Sequence, residues 1–168
     1  MEPQYADEVD RLVAAWQRER PDLDVSPMQV LSRVTRLARH LDLARRAAFA
    51  HHDLETWEFD VLSALRRAGE PYELSPGQLL RETMVTSGTM TNRIDRLAAR
   101  QLVARLPDPD DRRGVLVRLT EEGRNCVDAA LEALLARERQ LLAGLDASDR
   151  ALLAKLLQHV VSRFEAPR

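Results

Sequence analysis

The sequence predicts a mainly α-helical fold carrying one small β-hairpin. Three observations lead there. Apolar residues recur at three- and four-residue spacing over most of the 168 residues. Ser-Pro openings and Gly or Pro stops cut that pattern into separate helices. A single stretch, "RLPDPDDRRGVLVRLT" at 105–120, turns instead to strict alternation after a charged turn.

The first predicted helix places Val9, Leu12, Val13 and Trp16 at helical spacing, and "RPDLD" ends it at Pro21. Ser26 as N-cap and Pro27 at the first helical position open a long helix. Its apolar stripe is Val30, Val34, Leu37, Leu41 and Ala44. "LETWEFDVLSALRRAGEPY" reads as a shorter helix stopped at Gly69 and Pro71. Ser75 and Pro76 open another short one. "VTSGTMTNRIDRLAARQLVARL" reads as helix running into strand. Val103 and Leu106 lead into the hairpin, "PDPDDRRG" forms its polar turn, and Val115, Val117 and Leu119 alternate on the way out. Thr120 caps the next helix, with Gly123 inside it. Residues 120–164 read as two helices parted near "GLDASDR", with Asp146 or Ser148 as the second cap.

Those last two helices carry more apolar surface than one packed face needs. Val127, Leu131, Leu134, Leu135, Leu141, Leu142, Leu152, Leu153, Leu156, Leu157, Val160, Val161 and Phe164 all lie there. The expectation is a symmetric dimer interface joined by the N-terminal segment. A self-contained helical hairpin is the plainer alternative. The predicted organisation is residues 1–54 for dimerisation and a ligand cleft, 55–120 for a central lobe and 121–168 for dimerisation, all in one compact domain.

Composition narrows the function. No apolar run approaches the roughly 20 residues that span a bilayer. The polar, acidic start has no leader-like pattern, and the lone Cys126 fits a reducing compartment, so the cytoplasm is the expected location. Net charge is −2, unevenly spread. Residues 1–24 hold seven acids and three arginines, whereas residues 33–46 hold five arginines and one acid. Residues 81–118 hold eight arginines and five acids. Such local positive fields steer polyanions more than the total does.

The order helix, short helix, turn, helix, charged hairpin is a winged helix-turn-helix, with helices before and after it for dimerisation. At roughly 100° per residue, Met90, Ile94 and Leu97 face inward. Gly88, Asn92, Asp95, Arg96 and Ala99 point the other way, with Thr89 and Thr91 on the flanks. Small and hydroxyl residues from Ser87 onward let the N-terminal end approach base edges, and Asn and Arg offer bidentate base contacts. Arg112, Arg113 and Gly114 at the hairpin tip suit a flanking minor groove, with Asp111 holding the arginines in place. The expected DNA-contacting set is therefore Ser87, Gly88, Thr89, Thr91, Asn92, Arg96, Arg112, Arg113 and Gly114.

"SGTMTNRIDRLAARQLVARLPDPDDRRGVLVRLTEEG" resembles the core of the MarR family of transcriptional regulators. The recognition helix, the D-x-R of Asp111 and Arg113 and the following "LTEEG" carry the likeness. It implies a homodimer on a pseudo-palindromic operator in double-stranded DNA, usually repressing, often released by a small anionic or phenolic ligand, with no cofactor. A narrower likeness is to the urate-responsive, PecS-like members. These combine a Trp in an extra N-terminal helix, an Asp before the helix-turn-helix and two arginines, one in the recognition helix and one at the wing's start. Trp16, Asp60, Arg93 and Arg105 occupy those places here. A Trp platform with guanidinium partners suits an aromatic anion such as urate. The structural alternative makes Trp16 a dimer-core residue, Asp60 and Arg93 an ion pair, and Arg105 a phosphate contact.

Other classes fare worse. His40, His51, His52 and His159 lack zinc-site spacing, and Cys126 lies on an apolar face, so a metal- or redox-responsive regulator is a distant alternative. No nucleophile elbow, metalloprotease helix or phosphate loop argues for an enzyme. A winged-helix module for protein assembly, its DNA face idle, is the alternative from a different class.

Overall fold

The computed structural model describes residues 7–83, 87–111 and 114–164. The chain divides into two compact units, residues 1–46 and 47–168.

In the first unit, α1 (Glu8–Glu19) starts where Asp7 accepts the Val9 and Asp10 amides at 2.8 and 3.1 Å. The Asp10 carboxylate returns the contact to the Asp7 amide, a reciprocal cap. Val9 and Val13 pack with Val25 and Met28, so half of the predicted stripe is buried. Leu12 and Trp16 stay exposed, at 42% and 47%. Arg33 holds Asp7 and Asp10 at 2.9 and 2.7 Å, and its guanidinium lowers the Asp7 carboxyl below the usual range. α2 (Ser26–Ala50) follows. Its start is capped earlier than expected, because Asp24 accepts the Ser26 amide at 2.9 Å. Val30, Val34 and Leu37 of the predicted stripe are exposed.

The second unit opens on the last turn of α2, where Phe49 stacks on Phe59 with centroids 4.0 Å apart. α3 (Thr56–Arg67) buries Val61, Leu62 and Leu65 and ends before Gly69, whose φ of +79° only glycine adopts without strain. A short strand follows, β1 (Glu73–Leu74), then α4 (Pro76–Thr83), where Ser75 and Gln78 cap one another. α5 (Ser87–Ala99) buries Met90, Ile94 and Leu97 as its spacing predicts. The chain reverses at Gln101, with φ +60°, while the Leu102 amide reaches back to the Leu97 carbonyl at 3.0 Å.

β2 (Val103–Pro107) and β3 (Val115–Leu119) form the hairpin, with Val103 opposite Leu119 and Arg105 opposite Val117. The sheet has three strands in the order β1-β3-β2, all antiparallel, one more than the predicted hairpin. Val117 and Leu119 are buried as the alternation requires, whereas Val115 is exposed because it lies out toward the hairpin tip. Glu73 and Arg118 pair across β1 and β3 on the outer face.

α6 (Glu121–Leu141) starts at Thr120, whose hydroxyl accepts the Gly123 amide at 3.0 Å and donates to the Gln101 carbonyl at 2.8 Å. A Cβ on Gly123 would lie 2.0 Å from the Leu102 carbonyl oxygen, so α6 meets the β2 root at backbone contact. α7 (Ala147–Val161) is capped by Asp146, which accepts the Asp149 amide at 2.9 Å. It buries none of its residues; Leu152, Leu156, Leu157, Val160 and Val161 are exposed.

Candidate nucleic-acid interface

α5 presents three distinct faces. The inner one is the Met90, Ile94 and Leu97 row. The outer one carries Gly88, Asn92, Asp95 and Ala99, all exposed. A Cβ built on Gly88 meets nothing within 4 Å, so open space lies in front of the helix start. Ser87 heads the helix with its side chain outside the described residues, and Thr89 and Thr91 are exposed beside it. Small side chains there leave the first amides of the helix approachable, at the end where its dipole favours anions.

The third face is a row of arginines, Arg93, Arg96 and Arg100, spaced three and four apart. The Arg93 and Arg96 guanidinium carbons sit 5.3 and 4.7 Å from the Trp57 ring centroid. Arg96 also reaches the Glu55 carboxylate at 2.5 Å, and the Trp57 indole N–H donates to Glu55 at 2.8 Å. Those two donors, the indole first and Arg96 second, lower the Glu55 carboxyl below its ordinary range. Arg96, expected on the groove face, is thus engaged by α3 and its flank. One terminal nitrogen of Arg100 donates to both Glu58 carboxylate oxygens, at 2.7 and 2.8 Å, and the other donates to the Asp53 carbonyl at 2.7 Å. Glu58 is 1% exposed and its other contact is the Glu55 amide at 2.9 Å.

The wing is also tied to α5. Arg105, exposed on the same side of β2 as Val103, meets Asp95 at 2.7 Å. The hairpin end closes through Asp108, whose amide reaches the Gly114 carbonyl at 3.1 Å, while the Gly114 amide reaches the Asp111 carbonyl at 2.8 Å. A Cβ on Gly114 would lie 2.8 Å from that of Asp108, so glycine is needed there to close the turn. Arg112 and Arg113 lie outside the described residues, and with them the proposed clamp by Asp111.

The four predicted ligand residues fall in different settings. Trp16 is half-exposed on α1 of the first unit. In the second, Arg93 lies on Trp57, Arg105 pairs with Asp95, and Asp60 sits half-buried on α3. Helical spacing could not reveal the parts played by Glu55, Trp57, Glu58 and Arg100, which depend on partners some 40 residues apart. Cys126 is partly buried with its thiol 3.7 Å from the His52 carbonyl, and burial pushes its pKa up, away from the reactive thiolate. Among the described residues, no group of three His, Cys, Asp or Glu side chains is placed to hold a metal. No described helix is long and apolar enough to cross a membrane.

A short helix, a second helix braced on two sides with a small polar outer face, and an adjoining hairpin define a winged helix-turn-helix protein. Comparison with known proteins agrees. Residues 52–114 match the MarR family model. The regulator PecS of Dickeya dadantii is 37% identical over 159 residues, covering 92% of this chain and 96% of PecS. The chain belongs to the MarR family of transcriptional regulators. A mutant MarR from E. coli complexed with operator DNA matches with TM-score 0.67 and 28% identity, over 83% of this chain and 99% of that one. Bordetella bronchiseptica BpsR, from work on regulation of its DNA binding by 6-hydroxynicotinic acid, matches with TM-score 0.58 and 31% identity, over 76% and 98%.

Proposed function

We infer that this chain is a dimeric, sequence-specific transcriptional repressor of the cytoplasm whose α5 enters the major groove of a pseudo-palindromic operator. The observation that carries the reading is the outer face of α5. Its residues are small or polar at the helix start, with open space before Gly88. Ser87, Gly88, Thr89, Thr91 and Asn92 then approach base edges and phosphate, while Arg112 and Arg113 of the wing reach the neighbouring minor groove. The likeness to an operator-bound MarR supports this placement. The exposed apolar residues Leu152, Leu156, Leu157, Val160 and Val161 of α7 supply a surface for a second copy. Two α5 helices in one dimer must then sit roughly 34–36 Å apart to meet successive turns of the duplex.

The test is equilibrium binding to duplexes selected from a random pool, with mass in solution measured by sedimentation. A dimer whose affinity falls by orders of magnitude between about 50 and 200 mM salt is expected. A monomer, or a protein that retains no duplex, overturns the proposal. Asn92→Ala is expected to cost about 1–3 kcal/mol on the selected site and much less on random DNA. Equal losses on both would place Asn92 on the backbone and not on a base.

The release signal we propose is a small aromatic anion, urate being the first candidate, with the response to it depending on Trp16, Asp60, Arg93 and Arg105. Regulation of BpsR by an aromatic acid supports that chemistry. Such a ligand acts only if it binds the DNA-incompetent state better than the competent one. In a Trp57→Phe background, urate is expected to quench Trp16 emission and weaken operator binding over the same concentration range. Unchanged emission at millimolar urate removes urate and leaves the DNA reading intact.

A further inference from the structure

We propose that Trp57 and Glu55 form a bracket that orients α5, and that Arg96 serves this bracket instead of neutralising DNA phosphate. The inference rests on the DNA-binding reading and refines which arginines act in it. Arg93 and Arg96 are one helical turn apart and both lie over a single indole ring, at 5.3 and 4.7 Å. A guanidinium at that distance is attracted by the ring's quadrupole. Glu55 then closes the cluster, accepting from the indole at 2.8 Å and from Arg96 at 2.5 Å. Trp57, Glu55 and Arg96 therefore each touch the other two, and α5 is held against the start of α3. With the buried row of Met90, Ile94 and Leu97, this fixes the rotation of α5 about its own axis. A charge already engaged by a carboxylate and a π face gains little from phosphate unless it first breaks both contacts.

The experiment uses the full-length protein and the selected operator. Affinity is measured against salt for wild type, Arg96→Ala, Trp57→Leu and the double variant. Each single change is expected to weaken binding about three- to tenfold. The double variant is expected to be no weaker than the worse single, because both remove one bracket. The slope of log affinity against log salt stays at the wild-type value in all four. A slope that drops by about 0.9 for each phosphate released, in Arg96→Ala but not in Trp57→Leu, overturns the proposal and makes Arg96 a DNA contact.

Trp57→Phe keeps the π face without the N–H and is expected to recover most of the affinity, whereas Glu55→Gln loses the charge and should resemble Trp57→Leu. These two carry the test if Trp57→Leu proves unstable. The bracket is also read without DNA, by hydrogen exchange of the amides of residues 88–99. Faster exchange in both Arg96→Ala and Trp57→Leu supports it even if the wild type retains no duplex, in which case only the operator reading falls. Unchanged exchange in both overturns the bracket.

Discussion

Gly123→Ala is expected to destabilise the protein by about 3 kcal/mol, a large share of the roughly 5–15 kcal/mol that keeps a domain folded. A Cβ at this position falls 2.0 Å from the Leu102 carbonyl oxygen and 2.9 Å from its carbon. Both are backbone atoms, so no side-chain rotation relieves the overlap. The same carbonyl accepts the Thr120 amide at 3.1 Å, which pins it in place. Helix α6 must tilt away, and its Val127, Ala130 and Leu134 would then lift from the core they now pack into. Glycine inside a helix ordinarily costs stability relative to alanine, so the sign is opposite to that of an open position. Gly144→Ala, where a Cβ meets nothing within 4 Å, is the control. Chemical denaturation of both variants decides the matter, and a Gly123→Ala midpoint equal to the wild type would refute the close contact.

The second large effect is expected at Arg100. Replacing it by methionine leaves the Glu58 carboxylate, 1% exposed, with the Glu55 amide donating to it. Removing one partner of a buried pair costs roughly 3–5 kcal/mol, because the other charge stays desolvated. Arg100 itself is one-third exposed, which places the expectation near the lower end, at about 3 kcal/mol. Glu58→Gln should cost less, about 1 kcal/mol, since the amide keeps an oxygen for the Glu55 N–H. In the Glu58→Gln background, Arg100→Met should therefore cost much less than it does alone. Equal costs in the two backgrounds, measured by denaturation, would mean that the two groups do not depend on each other.

Much of this architecture is legible in the amino acids. The Ser75 and Asp146 caps, the Gly69 stop and the inward row of Met90, Ile94 and Leu97 are local signals, and local physics decides them. Strand β1 is not legible, because two residues carry no periodicity and their pairing to β3 is made by the fold. Likewise, helical angles place Arg93 and Arg96 on the rim of α5 but cannot say what waits there. Trp57 and Glu55 wait there, nearly 40 positions earlier in the chain. Read without those neighbours, both arginines look available to a ligand or to DNA. The apolar surplus of α6 and α7 is legible as an amount, and the structure shows where it concentrates, since α7 buries none of it.

The Leu102 carbonyl ends the turn after α5, abuts Gly123 of α6 and bonds the last residue before that helix. The hairpin's base and the start of α6 therefore behave as one welded joint, not as two parts with play between them. A 21-residue rod is fixed to that joint, so a small swing at its far end arrives at the wing as rotation about the joint.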